Sequence, residues 1–155
     1  MSALLPQTQP PATRSPRVGA ALPLDAKRPG VLVVEDDDLV RLMLRLGLER
    51  HGFRVRLAGN GAEAIDLYRE HAAEIAVVLL DVCMPGLEGP QTLDALRRMN
   101  PDVVACFMSG HTGIYEPEEL LRRGARHVFA KPFLLDELAR SLHSLVPASP
   151  TLCSV

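Results

Sequence analysis

Three nearly unbroken apolar runs constrain the fold of this chain more than any other feature of its sequence. They lie at residues 31–34, 75–80 and 103–108. Strands that are covered on both faces of a parallel sheet have this character, whereas strands with one solvent-facing side alternate apolar and polar residues. The sequence therefore predicts three central strands of a parallel sheet.

Two further strands are predicted at the margins of this sheet. In residues 53–57, apolar residues alternate with two arginines, which indicates a half-exposed edge strand, and residues 127–130 are expected to form a last short strand. The segments between the strands have helical spacing. Apolar residues recur at intervals of three and four in two of them, at Leu39, Leu42, Met43 and Leu46 and at Leu135, Leu138, Ala139 and Leu142.

About five strands alternating with about five helices predict right-handed βαβ units and a doubly wound α/β fold around a parallel sheet. Helix boundaries are also readable: Asp37 or Asp38 is a suitable N-cap, and a later helix is expected to start at Glu116-Pro117 and to stop at Gly124. Ligands of such folds bind beyond the carboxyl ends of the strands. Functional groups are therefore expected directly after the apolar runs.

The 155 residues suffice for one domain, and their composition divides them into three parts. Residues 1–29 hold six of the 13 prolines without a sustained period, so a disordered proline-rich arm is predicted there. Residues 30–146 are expected to form the folded domain, and residues 147–155 a flexible tail. The basic residues of the arm are Arg14, Arg17, Lys27 and Arg28.

Composition also excludes several classes of function. A net charge of −2 provides no field that attracts nucleic acid or anionic lipid, and no apolar run approaches the ~18 residues of a membrane span. Three widely spaced cysteines argue against a disulfide framework and for a reducing compartment. We therefore expect a cytoplasmic protein that binds neither nucleic acid nor membrane directly.

Acidic residues follow two of the apolar runs. Glu35 and Asp36 come directly after residues 31–34, and Asp81 comes directly after residues 75–80. If the two strands are neighbours, these carboxylates face each other, and two carboxylates ~4 Å apart repel by about 4 kcal/mol at an effective dielectric near 20. Such a cluster must hold a proton, raise its pKa values or bind a cation, and its oxygen ligands favour Mg²⁺.

Two other polar residues end apolar segments at the same edge of the predicted sheet. Ser109 follows residues 103–108, and Lys131 follows residues 127–130. Taken singly, each is typical of an ordinary turn residue or a solvated lysine. Together, carboxylates, a hydroxyl, an ammonium and Mg²⁺ make a phosphoryl site, because each group interacts with a different part of the charge.

Four motifs carry these residues, namely VLVVEDD at 31–37, LLDVCMPGLEG at 79–89, MSG at 108–110 and AKPF at 130–133. In combination they resemble the receiver domain of two-component response regulators, and the resemblance covers roughly residues 30–146. It implies a flavodoxin-like fold with five parallel strands in the order 2-1-3-4-5 and about five flanking helices.

The resemblance also implies the members of a metal site. Asp81 is the expected phosphoacceptor and a Mg²⁺ ligand, and Asp36 is expected to bind the ion directly. Glu35 is expected to act as an outer acid, either directly or through water. The backbone carbonyl of Cys83 would be a further ligand.

The same resemblance assigns roles in transfer and signalling. Ser109 resembles the switch hydroxyl that closes on the phosphoryl group, and Lys131 resembles the lysine that pairs with it. The donor would be a sensor histidine kinase or a phosphotransfer protein. The chain is expected to be a stand-alone regulator that assists its own phosphotransfer and dephosphorylation, is no dedicated enzyme, and signals by altered binding of an output protein that the sequence does not identify.

The sequence departs from the family pattern close to the lysine. Many receivers have Tyr or Phe three residues before it, where this chain has Val128. Phe129 is adjacent but belongs to the opposite face of the strand. The departure bears on the coupling between phosphorylation and the output surface, not on phosphorylation itself. Cys83 and His111 hold the two positions that tune hydrolysis of the phosphoryl group in the family.

Two alternatives stay open at this stage. A receiver-fold module that docks partners without phosphorylation agrees with Val128. A Mg²⁺-dependent phosphatase resembling the haloacid dehalogenases would use Asp81 as its nucleophile, but it needs an acid two residues later as proton donor, where this chain has Cys83.

Overall fold

A computed structural model describes residues 28–110 and 114–147 of the chain. Its centre is one sheet of five parallel strands, with β2 at one edge, β5 at the other, and β1, β3 and β4 between them. The predicted doubly wound α/β class and the strand order 2-1-3-4-5 are confirmed. The strands are β1 (Gly30–Val34), β2 (Arg54–Ala58), β3 (Val77–Asp81), β4 (Ala105–Ser109) and β5 (His127–Ala130).

Helices cover both faces of this sheet. The helices of the described residues are α1 (Asp38–Arg50), α2 (Gly61–His71), α3 (Gly89–Met99), α4 (Pro117–Arg122) and α5 (Leu135–Leu145), and a short 3₁₀ helix at Ala72–Glu74 follows α2. Buried residues of α1 and α5 pack on one face, and those of α2, α3 and α4 pack on the other.

The core has two halves because successive residues of each central strand point to opposite faces of the sheet. Along β1, Val31 and Val33 pack with α1 and α5, whereas Leu32 and Val34 pack with α2, α3 and α4. All residues of β1 and β3 are buried. Burial on both sides explains why these strands are apolar without interruption.

Parallel pairing brings the carboxyl ends of four strands to one edge of the sheet. Val34 pairs with the residue before Asp81, and Asp81 pairs with the residue before Ser109. Ser109 in turn pairs with Ala130, the residue before Lys131. The polar residues that end the apolar segments are thus neighbours across the sheet.

Two central strands begin later than their apolar runs. β3 starts at Val77 rather than at Ile75, and β4 starts at Ala105 rather than at Val103. Ile75 and Val103 are buried all the same. An apolar run therefore marks the buried segment, which extends beyond the residues that pair in the sheet.

The apolar pattern at residues 39–46 predicted α1, and the helix is confirmed, but its four pattern residues face solvent. Instead, Leu44 and Leu48 are buried against the sheet. Helix α1 is apolar on two sides, and periodicity alone does not tell which side packs inward. We call the exposed side the α1 apolar face; it consists of Leu39, Leu42, Met43 and Leu46, with exposed fractions between 49% and 76%.

Helix ends and the second apolar stripe follow the sequence prediction. The carboxylate of Asp37 caps α1 by accepting from the amides of Leu39 (2.9 Å) and Val40 (3.1 Å). Gly124, which follows α4, has a φ of +111°, a conformation that glycine adopts readily. In α5, three residues of the predicted stripe, Leu138, Ala139 and Leu142, are buried, and Leu135 is partly buried against the same core half.

Parts of the predicted organisation lie outside the described residues. These are most of the arm at residues 1–29, including Arg14, Arg17 and Lys27, the tail beyond residue 147, and His111. Among the helices that the structure describes, none has the length and apolar character to cross a membrane.

Candidate functional site

The acidic loop after β1 is held by backbone contacts and by one arginine. The amide of Glu35 donates to the carbonyl of Ala58 in β2 (3.1 Å), and the amide of Asp37 donates to the Glu35 carboxylate (3.2 Å). The guanidinium of Arg41 donates to the carbonyl of Glu35 (2.8 Å) and also binds the carboxylate of Asp38. These contacts fix the conformation of the loop that carries Glu35 and Asp36 after β1.

Three carboxylates converge where β1 and β3 end. Glu35, Asp36 and Asp81 each place one oxygen so that all three oxygens lie within 4.8 Å of one another. Glu35 and Asp81 are buried, with exposed fractions of 2% and 6%, whereas Asp36 is exposed. The site is therefore an acidic pocket with two buried acids at its base and one acid at its mouth.

Lys131 joins this pocket from the end of β5. Its ammonium lies 3.1 Å from the Glu35 carboxylate and 3.3 Å from the Asp81 carboxylate, and it donates a hydrogen bond to each. Both acids are nearly excluded from water, so this cation interacts with them more strongly than a surface lysine would. One positive charge offsets two buried negative charges, which leaves the pocket anionic.

Burial and charge shift all three pKa values upward. Burial raises the pKa of Glu35 above its ordinary 4.5, and the charge of Asp81 adds to the rise. Burial likewise raises the pKa of Asp81 above 3.8, against the lowering effect of Lys131. Burial alone would lower the pKa of Lys131, but the two carboxylates outweigh burial and raise it above 10.5. The ammonium is favoured in the folded protein, whereas the two ionised carboxylates are disfavoured.

The donor set fits a small hard cation. Carboxylate oxygens are ligands that Mg²⁺ prefers, and Mg²⁺ usually keeps several waters, for which the exposed position of Asp36 leaves room. A divalent ion would also remove the repulsion that disfavours the ionised forms of Glu35 and Asp81. The residues present therefore fit Mg²⁺.

Ser109 and Cys83 border the pocket without bonding to its carboxylates in the described structure. The hydroxyl of Ser109, at the end of β4, donates to the carbonyl of Gly110 at 3.3 Å, a long hydrogen bond. Cys83 lies exposed in the loop after β3. Burial, and then the charges of Asp81 and Glu88, raise the pKa of its thiol.

The strand before Lys131 is oriented as the sequence predicts. Phe129 packs with the α1 and α5 side of the core, whereas Val128 packs against the side that holds α2, α3 and α4. Cys106 is fully buried in β4, and burial raises the pKa of its thiol to about 12, as expected for a small core residue. The aromatic side chain that many receivers place at position 128 is thus missing from the α4 side.

Sequence reasoning did not find two contributors to this site. Arg41 orients the acidic loop through a backbone carbonyl, a contact that no spacing pattern announces. Tyr115 donates a hydrogen bond to Glu88 across 27 residues of chain. Since both bonds depend on the packing of elements, only the folded structure reveals them.

Fold and pocket together define a class of protein. A sequence model of the response regulator receiver domain matches residues 31–143 of this chain. The chain therefore belongs to the response regulator receiver domain family. Members of this family are signalling domains of two-component systems, which receive signals from histidine kinases and bind Mg²⁺ at an acidic pocket.

Two relatives agree with this assignment, and a solved structure shares the fold. The transcriptional regulatory protein PrrA of Mycobacterium tuberculosis is 37% identical over 118 residues, which are 76% of this chain and 50% of PrrA. The sensor kinase CckA of Brucella abortus is 34% identical over 116 residues, 75% of this chain and 12% of the kinase. A response regulator receiver domain protein from Clostridium thermocellum superimposes with a TM-score of 0.72 at 23% identity, over 75% of this chain and 92% of that one. The chain spans half the length of PrrA.

Proposed function

We propose that this chain accepts a phosphoryl group on Asp81 from a sensor histidine kinase or a phosphotransfer protein, in a Mg²⁺-dependent reaction. The observation that carries the proposal is the pocket itself. Glu35, Asp36 and Asp81 place oxygens within 4.8 Å of one another, and the ammonium of Lys131 bonds to two of these acids. That the chain acts as a stand-alone regulator stays a prediction.

In the proposed reaction, a carboxylate oxygen of Asp81 attacks the phosphorus of a phosphohistidine. A new O–P bond forms while the P–N bond of the donor breaks, and the electron pair of that bond stays on the imidazole nitrogen. Lys131, already 3.3 Å from Asp81, stabilises the negative charge on the phosphoryl oxygens. The chain thus promotes its own phosphorylation by positioning charge.

Glu35 and Asp36, with Asp81 and the backbone carbonyl of Cys83, would hold the magnesium ion. When bound, Mg²⁺ supplies the positive charge that neutralises phosphoryl oxygens during transfer. Together, Mg²⁺ and the ammonium of Lys131 would balance the three negative charges of Glu35, Asp36 and Asp81. Hydrolysis of the acyl phosphate by water would return Asp81 to its carboxylate form.

Phosphorylation changes the charge next to Ser109. The acyl phosphate carries up to about −2 charge and strong acceptor oxygens where one carboxylate had been. Among the described residues, the Ser109 hydroxyl donates one long bond, of 3.3 Å, to the carbonyl of Gly110, and it would exchange this bond for one to a phosphoryl oxygen. This exchange would shift the population of the chain between two arrangements with different affinity for an output protein.

The α1 apolar face is the surface on which we expect the phosphodonor to dock. It lies on α1, which starts two residues after Asp36, and a cavity of about 400 Å³ opens beside it between Val40, Met43 and residues 131–133. Exposed apolar patches of this kind mark interaction sites. A partner bound there would bring its phosphohistidine to the mouth of the pocket.

A small phosphodonor such as acetyl phosphate tests the proposal without the cognate kinase. With Mg²⁺ present, intact-mass spectrometry should detect one added phosphoryl group on the wild-type chain and none on Asp81→Asn. Addition of EDTA before the donor should abolish the adduct. An unmodified wild-type chain, or an adduct that persists on Asp81→Asn, would contradict the assignment.

One observation favours a second candidate function, docking without phosphorylation. Val128 provides no aromatic group on the α4 side of the sheet. If the chain is a docking module of this kind, wild type and Asp81→Asn should bind the output protein with equal affinity. Addition of phosphodonor and Mg²⁺ should change the affinity of neither. The phosphatase alternative lacks its acid two residues after Asp81, because Cys83 occupies that position.

A further inference from the structure

The α1 apolar face is a surface that the described elements leave open. Its four residues follow one another along the helix, with exposed fractions between 49% and 76%. Among the described residues of α2 and α3, on the opposite side of the sheet, Met99 is the one large apolar residue that is exposed, at 38%. The largest group of exposed apolar side chains is therefore on α1, and a segment that buries apolar residues gains most there.

Acidic residues lie at the start of the same helix. Asp36, Asp37 and Asp38 are exposed and come directly before Leu39. The carboxylate of Asp38 is paired with Arg41, whereas Asp36 belongs to the anionic pocket and Asp37 caps the helix. Helix α1 therefore presents negative charge at its first turn and exposed apolar residues over the two turns that follow.

The arm carries the complementary pattern in the reverse order along the chain. Residues 18–24 (VGAALPL) are apolar throughout, and Arg14 and Arg17 precede them. The tail at residues 148–155 has no charged side chain, so it lacks the basic part of this pattern. Of the two ends of the chain, the arm is thus the one that matches α1 in both charge and apolar character.

The point where the arm joins the domain sets the direction of a contact with α1. Gly30 begins β1 and pairs with Arg54, the first residue of β2. Helix α1 ends at Arg50, shortly before Arg54, and therefore at the same edge of the sheet as Gly30. An arm that follows α1 from this edge meets Leu46 first and Asp36 last. Its apolar residues, which are nearer to Gly30 than its arginines, then lie over the apolar residues of α1.

The arm is also long enough for this path. Val18 lies twelve positions before Gly30, and an extended proline-rich chain of about 3.1 Å per residue covers about 37 Å over that stretch. Helix α1 has 13 residues, so it is about 20 Å long and about 10–12 Å wide. The stretch can therefore pass round the end of the helix and reach its first turn.

We propose that residues 14–24 of the arm bind along α1 of the same chain, with residues 18–24 on the α1 apolar face and Arg14 and Arg17 beside Asp36 and Asp37. The bound arm competes with the phosphodonor for this face, and that consequence rests on the docking surface of the proposed function. Because the arm is tethered, its effective concentration is on the order of millimolar, so a weak contact suffices.

Methyl NMR of the full chain, labelled at its five methionines, tests the contact. Met43 lies on the α1 apolar face and Met99 at the end of α3, and Met43→Leu and Met99→Leu assign their signals. In the arm, Leu22→Ser with Leu24→Ser should shift the Met43 signal and leave the Met99 signal in place.

The matched control makes the same exchange outside the proposed binding segment. Leu4→Ser with Leu5→Ser lies in the arm but before the two arginines, so both methionine signals should stay where they are in wild type.

The basic part of the contact has its own pair of variants. Arg14→Gln with Arg17→Gln should shift the Met43 signal in the same direction as the leucine variant, but less, and high salt should have a similar effect on wild type because it screens exposed charges. Lys27→Gln with Arg28→Gln removes the other two basic residues of the arm and should leave the signal in place.

Phosphotransfer measures the consequence for the donor. Transfer from a phosphorylated histidine kinase to the chain with Leu22→Ser and Leu24→Ser should be about threefold to tenfold faster than transfer to wild type, since two leucines leave a weak competing contact. Phosphorylation by acetyl phosphate, which needs no docking surface, should keep its wild-type rate.

The outcomes keep this proposal apart from the function assigned to Asp81. A Met43 signal that is identical in wild type and in the arm variants overturns the arm contact, whatever the phosphodonors do. A signal that depends on protein concentration and not on the arm sequence assigns the face to a second copy of the chain and also overturns it. A signal that depends on the arm, with kinase transfer unchanged, overturns the competition. A wild-type chain that no phosphodonor modifies contradicts the role of Asp81 and leaves the NMR result standing.

Discussion

Asp81 is a buried acid whose ionised form the fold disfavours, because burial outweighs the attraction of Lys131. Replacing it with a neutral side chain of the same shape removes that unfavourable charge. We therefore expect Asp81→Asn to raise the free energy of unfolding by on the order of 1 kcal/mol at pH 7 without divalent cations. Urea denaturation with EDTA measures this. A destabilised Asp81→Asn would contradict the burial argument, and a variant with Asp66→Asn, at an exposed site on α2, is the control.

The same pKa shifts set the pH dependence of stability. The pKa values of Glu35 and Asp81 are raised in the folded protein above 4.5 and 3.8. The stability that the two protonated acids contribute to the folded protein is therefore fully present at pH values below their ordinary pKa values. It is lost as pH rises through their raised pKa values in the folded state. With EDTA, the free energy of unfolding should fall as pH rises through this window. Glu35→Gln and Asp81→Asn should each reduce this pH-dependent decrease in the free energy of unfolding. A double variant with the same pH dependence as wild type would show that these two acids do not cause the decrease.

Lys131 places a positive charge 3.3 Å from the carboxylate of the proposed phosphoacceptor. Lys131→Met keeps most of the side-chain length and removes the ammonium that bonds to Glu35 and Asp81. The initial rate of phosphorylation by acetyl phosphate should fall on the order of 100-fold, the effect of removing one group that stabilises transition-state charge. Mg²⁺ binding, measured by calorimetry, should persist because the three carboxylates remain. A variant that is phosphorylated at the wild-type rate would show that Lys131 has no part in transfer.

At the level of elements, α1 presents one apolar side to the sheet and another to solvent. Leu42→Ser and Met43→Ser on the α1 apolar face should change the free energy of unfolding by no more than about 0.5 kcal/mol, since both side chains are exposed. The buried Leu44 is the contrasting position, where Leu44→Ala should cost about 2–5 kcal/mol.

These surface variants also separate donor docking from chemistry. Phosphorylation by acetyl phosphate should be unchanged in both, whereas transfer from a phosphorylated kinase should fall roughly tenfold, as expected for loss of contacts at the centre of an interface. Equal transfer to wild type and to the double variant would place the docking surface elsewhere on the molecule.

The elements also show how far a sequence can be interpreted. β1 and β3 were predictable because burial on both faces leaves a continuous apolar run, and Asp81 was predictable because the run ends there. The exposed side of α1 was not, since a helix with two apolar sides gives the same period whichever side is buried. The bond between Tyr115 and Glu88 joins residues that only the order of the strands brings together, and that order came from family resemblance rather than from periodicity.

At the scale of the whole molecule, the fold gathers charged side chains in a pocket where two of the acids are buried away from water. The ends of β1, β3 and β5 bring three acids and one lysine together, and the net negative charge disfavours the pocket unless a cation binds. Mg²⁺ should therefore stabilise the chain, by about 2.7 kcal/mol at a concentration 100 times its dissociation constant. Thermal unfolding with and without Mg²⁺ measures the effect. Equal melting temperatures under both conditions would contradict a metal site in this pocket.

The proposed function depends on the position of one covalent bond, the bond between a carboxylate oxygen of Asp81 and phosphorus. After treatment with acetyl phosphate and Mg²⁺, borohydride converts an aspartyl phosphate to homoserine, which peptide mass spectrometry can locate. Homoserine at position 81, and at no other acid of the chain, is the result expected from the geometry of the pocket. Homoserine at Asp36 or elsewhere, or a chain that borohydride leaves unchanged, would show that Asp81 is not the phosphoacceptor.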